Sequence, residues 1–250
     1  MGTTVCGAVH ADPELELVAA VDPHHAGIDL DQLGVRGTGL QIAARASALV
    51  DAAADVAIDF TVIDAARENI GFCAENDIHA VVGTSGFDDA ELHKLAAVFA
   101  ESRANAVIAP NFAIGAVLML RFAELAAPYF DTAEIIELHH DQKIDAPSGT
   151  AVATAKKIAA ASNDWGADPT TTVVAEGARG ATVDGISVHS VRMRGMVAHQ
   201  EVVLGTTGQS LSLRHDAYDR SSFMPGVLLA AKRVASSPGL TIGLDALLGV

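Results

Sequence analysis

The chain has 250 residues, half of them apolar, with 31 acids against 16 bases and a formal charge of −15. That length can bury one large core or two modest ones, and so acidic a surface argues against nucleic acid, because neutralising phosphate needs clustered Lys and Arg. Cys6 and Cys73 give neither a disulfide framework nor a metal pattern; no apolar run reaches membrane-spanning length, and the first twenty residues carry no Lys or Arg, so a cytoplasmic protein is expected.

Hydrophobic period and breakers set out the elements in chain order. Thr3 to Ala11 reads as a short helix and Leu15 to Val21 as a strand ending at Asp22. Val56 to Phe60, His79 to Gly83 and Ala106 to Ala109 read as buried strands, separated by helices over Ile63 to Glu75 and Asp88 to Ser102. Strands alternating with helices at this spacing predict a doubly wound parallel sheet, with ligands held at the carboxyl ends of its strands. The pattern then changes. Ile114 to Phe130 is a long apolar helix, Ala133 to His140 a strand and Gly149 to Ala161 a helix; strand-like runs follow at Ile186 to Met193, Val197 to Thr206 and Ser210 to His215. Short glycine-bearing turns between them predict an antiparallel or mixed sheet in a second, α+β domain. Arg220 to Ser236 reads helical, with Pro225 near its start. The expected fold class is therefore α/β: a dinucleotide-binding domain from residues 1–111 and 219–250, and a mixed-sheet domain from residues 112–218.

The densest chemistry lies in Glu137 to Thr150, where His139, His140 and Lys143 precede a Ser148-Gly149-Thr150 turn that opens a helix. The free N–H groups and dipole of such a turn favour an anion, and His or Lys beside it can donate protons near neutral pH. A small carboxylate ligand that must be protonated fits this set. Adjacent histidines on a strand point to opposite faces and Lys143 repels a cation, so no metal is expected. A buried structural histidine explains either one alone, but is a poor account of the whole cluster.

Two turns sit at strand ends, Val82 to Gly86 and Ala109 to Phe112. Both lie where backbone amides of a doubly wound sheet hold a cofactor, though ordinary strand-to-helix punctuation explains each by itself. Gly83-x-Ser85 half-matches a nucleophile elbow, but Phe87 replaces the last glycine. Asp22 stands where an acid accepts from adenosine ribose hydroxyls, favouring NADH over NADPH, or else caps a turn before Pro23. The usual first strand and its glycine-rich turn are missing, and in the common strand order their loss leaves two flanking strands without a partner.

Over essentially all of its length the chain resembles the 4-hydroxy-tetrahydrodipicolinate (dihydrodipicolinate) reductases of lysine and diaminopimelate biosynthesis. The likeness is carried by Glu137-Leu138-His139-His140, Lys143 and Asp145 to Ala151, by Val82 to Phe87 and Ile108 to Gly115, and by Val197 to Val202 and Arg214 to Asp216. The resemblance implies that His139 and Lys143 carry the proton chemistry, and that His140 and the Ser148-Gly149-Thr150 turn bind the substrate carboxylates. It implies that Gly83, Thr84, Ser85 and Ala109, Pro110, Asn111, Phe112 hold NADH or NADPH, with Asp22 near the ribose. The implied reaction is hydride transfer to a cyclic imine dicarboxylate with loss of water. Homotetramers built through the second domain's sheet are also implied, with cofactor and substrate sites on different domains that close together.

The chain departs from this family at its amino end. Members begin with a strand and a Gly-x-x-Gly-(Arg/Lys)-(Met/Val)-Gly loop, whose last two residues Met1-Gly2 resembles. Met1 is accordingly expected to be an internal methionine. A chain without that loop would instead be a non-catalytic paralogue that binds dicarboxylate or joins an oligomer; a further alternative is a reductase of the same plan acting on another small acid.

Overall fold

The computed structural model describes all 250 residues, Met1–Val250. The chain forms two compact units, Met1–Ile114 with Arg220–Val250, and Gly115–Asp219. In chain order the first unit contains α1 (Gly2–Ala11), a short α2 (Ser47–Asp51), β1 (Val56–Asp59), α3 (Ile63–Glu75), β2 (His79–Val82), α4 (Asp89–Glu101) and β3 (Ala106–Ile108). The next elements are α5 (Ile114–Ala126), β4 (Thr132–His139), α6 (Gly149–Ala161), β5 (Ala181–Val183), β6 (Ile186–Arg192), β7 (Ala198–Thr206) and β8 (Gln209–Ala217). The chain then returns to the first unit with α7 (Met224–Arg233), β9 (Leu240–Ile242) and α8 (Asp245–Leu248).

In the first unit β1-β2-β3-β9 form a four-stranded sheet in which every pairing is parallel. Its strands are short β-branched runs, and Ala80–Val82 and Ala106–Ile108 are wholly buried, as a sheet covered on both faces requires. α3 buries Ala66, Ile70 and Cys73, spaced four and three apart on one face, against Ile78, Ala80, Val82 and Phe99. α4 starts at a full capping box, in which Asp88 accepts from the Glu91 N–H while the Glu91 side chain accepts from the Asp88 N–H.

One expected strand does not form. Leu15–Val21 has no ladder, only a parallel bridge from Val21 to Ala43. A strand exists through its neighbours' hydrogen bonds, and the contacts available here are two, Asp22 N–H to Ala43 O and Ala43 N–H to Ala20 O. β1 likewise has β2 as its single partner and forms the sheet's edge. β9 was not foreseen, since Leu240-Thr241-Ile242 lacks the continuous apolar run that marks the equally short β3; it pairs with β3.

The second unit is a five-stranded sheet, β5-β6-β4-β7-β8, with β4 and β6 parallel and the other pairs antiparallel. This is the mixed sheet expected, with β5 added. α6 covers one face: Ala151, Ala155 and Ile158 recur at helical spacing and pack on Ile135, Ile186, Val188, Val202 and Leu204. Because side chains alternate along a strand, Glu137 and His139 share this face with Ile135. The register sets Glu137 beside Ser190 and His139 beside Arg192.

Other boundaries shift for local reasons. α5 stops at Ala126 rather than Phe130 and tightens into a 3-10 turn, Ala127–Tyr129, because Pro128 has no N–H to give and disfavours the α conformation before it. The expected Arg220–Ser236 helix is three pieces, a 3-10 turn, α7 with Pro225 in its first turn, and a second 3-10 turn. β8 runs longer than Ser210–His215 because β7 pairs with it throughout its length. No helix is long and apolar enough to cross a membrane.

Candidate active site

The loop from β4 to α6 brings His139, Lys143, Ser148, Gly149 and Thr150 together around a buried carboxylate absent from the expected set. Glu137 is 0 % exposed. Its Oε2 lies 2.5 Å from His139 Nδ1 and accepts from Arg192 Nη1 at 2.8 Å; its Oε1 accepts from Arg192 Nη2 at 2.7 Å and from the Ser148 N–H at 3.2 Å. Arg192 Nη2 also donates to Asp145 O at 2.7 Å, and Lys143 Nζ donates to the Asp145 carboxylate at 2.7 Å. One buried ion pair thus fixes the histidine, the helix cap and the lysine's loop.

The electrostatics follow from this packing. Burial alone would push the Glu137 carboxyl up, but Arg192, Ser190 and His139 outweigh it and hold the group below the ordinary range. Burial pushes the His139 imidazole below its ordinary 6.5; Glu137 pulls it back, and Lys143 and Arg192 add to the drop. A neutral imidazole with a carboxylate partner can accept a proton and return it.

α6 begins at Ser148, whose Oγ accepts from the Ala151 N–H at 3.2 Å. Gly149 and Thr150 are exposed in the first turn, where helix N–H groups have no intrahelical partner. The turn is braced from the sheet, since Thr154 Oγ1 donates to Thr150 O at 2.8 Å and accepts from Gln200 Nε2 at 2.9 Å. His140 follows the last residue of β4 and is exposed, and its carbonyl accepts from the Lys143 N–H at 3.2 Å.

In the first unit the parallel register carries the carboxyl ends of β1, β2 and β3 to one sheet edge. Gly83, Thr84 and Ser85 follow β2, and Ala109, Pro110, Asn111 and Phe112 follow β3. Asp59, at the end of β1, clamps the first turn: its Oδ1 accepts from Thr84 Oγ1 at 3.1 Å and from Thr61 Oγ1 at 2.8 Å, and its Oδ2 from Asn69 Nδ2 at 2.7 Å. Asn111 Oδ1 accepts from the Ala113 N–H at 2.9 Å and shapes the second turn. Thr61, Ser85, Gly86 and Pro110 are exposed along this edge, beside the tilted ring pair of half-buried Phe60 and buried Phe112. Small side chains and open backbone fit the amide and ring of a nicotinamide.

Gly83 is required here. A Cβ on it would lie 2.1 Å from Phe60 Cε1. Gly83→Ala is therefore expected to cost about 1–3 kcal/mol by overpacking and to weaken NADH binding. Melting curves with and without NADH test this, and an unchanged melting point would rule out the close approach. Asp22 stands apart from the four-stranded sheet. Its two oxygens accept from the His24 N–H and lie against His25 Nδ1, both at 2.8 Å, so it closes its own turn.

The family model "Dihydrodipicolinate reductase, N-terminus" matches residues 1–112, and "Dihydrodipicolinate reductase, C-terminus" matches residues 115–248. The chain belongs to the dihydrodipicolinate reductase family. A 4-hydroxy-tetrahydrodipicolinate reductase of Mycobacterium sp. (strain KMS) is 54 % identical, with 99 % of this chain and 94 % of that protein aligned. One from Corynebacterium urealyticum is 46 % identical over 100 % of this chain and 95 % of that protein. Among solved structures, a dipicolinate-bound dihydrodipicolinate reductase from Paenisporosarcina sp. TG-14 is 40 % identical, covers 98 % of this chain and 94 % of its own, and superposes with a TM-score of 0.87. An amine dehydrogenase from Mycobacterium smegmatis shares the fold at 15 % identity and a TM-score of 0.69. Dihydrodipicolinate reductases are NAD(P)H-dependent oxidoreductases of lysine and diaminopimelate biosynthesis, and nothing in these likenesses favours the binding-only alternative.

The sequence signals for the missed residues were present but weak. Glu137 stands two residues before His139 in a period-2 strand, hence on the same face, and is a charge amid Ile135, Ile136 and Leu138. Arg192, 55 residues from Glu137, is visible only once the register is known.

The lowered His139 value, and that of His215, also lowered chiefly by burial, set a pH dependence. Between the lowered folded values and the unfolded 6.5 the unfolded chain binds more protons, so stability rises with pH through that window. These imidazoles impose no penalty above it. The urea midpoint is expected to fall as the pH drops below about 6.5, and to fall less steeply in His139→Gln. An identical pH dependence in the variant would exclude His139 as a contributor.

Proposed function

We propose that this chain runs the family reaction with its dicarboxylate at the N-terminus of α6 and with Lys143 and His139 as the proton-transfer pair. The observation that carries the proposal is the capped, exposed Gly149-Thr150 turn, joined through Glu137 and Arg192 to His139 and to the loop of Lys143. Overall, 4-hydroxy-tetrahydrodipicolinate takes up one hydride and one proton and loses its hydroxyl as water, giving tetrahydrodipicolinate. Bound NADH or NADPH supplies the hydride. The Gly149 and Thr150 N–H groups and His140 receive one or both carboxylates, and Lys143 exchanges its Asp145 partner for substrate. Lys143, with His139, provides the proton that balances charge on the reduced ring. The dipicolinate bound by the Paenisporosarcina reductase is a cyclic dicarboxylate of the class this turn suits. Gly83–Ser85 and Ala109–Phe112 hold the nicotinamide portion, and the Asp22 carboxylate receives the adenosine ribose.

Working in the cytoplasm, the chain assembles as a homotetramer through the sheet face opposite α6. Ile136, Leu138, Val191 and Val203 lie on that face by register and are half-buried in the single chain. Light scattering on the purified protein should then give four times 25.7 kDa, and a monomer at micromolar concentration would overturn the assembly. The activity is tested by following NADH and NADPH oxidation with freshly generated 4-hydroxy-tetrahydrodipicolinate and with a panel of other cyclic and open-chain imino acids. Turnover confined to the dicarboxylate ring supports the assignment, and none with it refutes it.

A further inference from the structure

Glu137 is a fully buried carboxylate that accepts twice from Arg192 and lies against one ring nitrogen of His139. We propose that Glu137 is the positioning residue of the proton-transfer pair, holding His139 with its proton on Nδ1 so that Nε2 is the nitrogen offered to the substrate. The inference rests on His139 serving as acid and base, as argued above, and adds what orients it.

An ionised carboxylate can only accept, so the 2.5 Å contact from Glu137 Oε2 to His139 Nδ1 requires the proton on Nδ1. Arg192 keeps Glu137 ionised by occupying both of its oxygens, at 2.7 and 2.8 Å. Glu137 cannot swing away, because it is 0 % exposed and its Oε1 also accepts from the Ser148 N–H. The same carboxylate therefore sets the nitrogen that reacts and the cap of the helix that receives the substrate's carboxylate. Charged groups around His139 are Glu137 on its own strand, Arg192 on β6 and Lys143 on the following loop; β7 places Ala198 opposite it and α6 presents Ser148. Of these, only Glu137 favours the imidazolium. A carboxylate behind a histidine thus fixes the tautomer in the resting site and steadies the positive charge when the ring is protonated.

The test compares the full-length protein with Glu137→Gln and His139→Gln. In protein labelled with 15N-histidine, the signals lost in His139→Gln identify His139, and the wild-type ring is expected to carry its proton on Nδ1 near pH 8. Finding it on Nε2 overturns the inference without any variant having to fold at position 137. In Glu137→Gln the amide can donate as well as accept, so the ring should become a mixture of tautomers. Its kcat should fall roughly 10–100-fold, a usual loss when an orienting partner is removed, with the KM for NADH held within about twofold of wild type and the acid limb of kcat/KM moved to lower pH. A merely structural role would lower the melting point but leave the tautomer and the pH limb in place, and that result overturns the inference. Should His139→Gln keep full turnover, the acid–base reading itself is lost. Should His139→Gln be inactive while a folded Glu137→Gln keeps wild-type kcat, tautomer and pH profile, only the role of Glu137 is lost.

Discussion

Lys143→Ala is expected to lower kcat by about 10²–10⁴-fold, the usual contribution of a positioned proton donor, while the affinity for NADH stays close to wild type. The expectation rests on where the lysine sits. Its ammonium is paired with the half-exposed Asp145 carboxylate at 2.7 Å, a contact that contributes little to folding, so the variant should remain native. It belongs to the Gly115–Asp219 unit, whereas the turns assigned to the nicotinamide belong to the other, which is why cofactor binding should be spared. Lys143→Arg sharpens the measurement. A guanidinium still attracts a carboxylate but does not release its proton at neutral pH, so the KM for the dicarboxylate should recover more than kcat. Steady-state kinetics with NADH titrations by fluorescence read all of these quantities. Unchanged kcat in Lys143→Ala would refute the assignment.

Arg192→Ala should destabilise the second unit by about 3–5 kcal/mol. The arginine supplies two of the hydrogen bonds to a carboxylate that no water reaches, and its removal leaves that charge buried with Ser148, Ser190 and His139. Removing one partner of a buried pair costs far more than the pair's net contribution, because the orphaned charge keeps its desolvation penalty. Urea unfolding followed by fluorescence is suited to this unit, since Trp165 is the chain's single tryptophan and packs against the α6 core cluster. Combining Arg192→Met with Glu137→Leu should restore much of the stability lost in Arg192→Ala while abolishing turnover. A loss below about 1 kcal/mol in Arg192→Ala would mean that Glu137 finds other donors or a proton, and that the pair is not the brace described above.

These two predictions draw on different kinds of legibility. Lys143 and His139 were recognisable because a lysine, two histidines and a Ser-Gly-Thr helix start lie within fourteen residues, and local sequence fixes which groups can share one loop. Arg192 was not, because its partner is 55 residues away and meets it only through the parallel pairing of β4 with β6. The Asp59 clamp on Thr84, 25 residues apart, was hidden in the same way. Leu15–Val21 failed as a strand in the opposite sense: its apolar run is real, but strand structure needs a neighbour, and only Val21 has one. The short elements β5 and β9 are each broken by a threonine and lack the continuous apolar run that made the equally short β3 legible.

The sequence by itself determined the alternation of strands and helices, the change from a parallel to a mixed sheet, the family, and the groups able to bind an anion and move a proton. Each of these depends on periods and spacings within about twenty residues, where chain geometry leaves few choices. Only the tertiary structure decided that His139 leans on Glu137, that Arg192 keeps that glutamate charged, and that Gly83 must lack a side chain because Phe60 occupies the space beside it. Such contacts join residues whose separation along the chain is arbitrary, and their energies come from burial, which exists only once the sheet register has brought the partners together and excluded water.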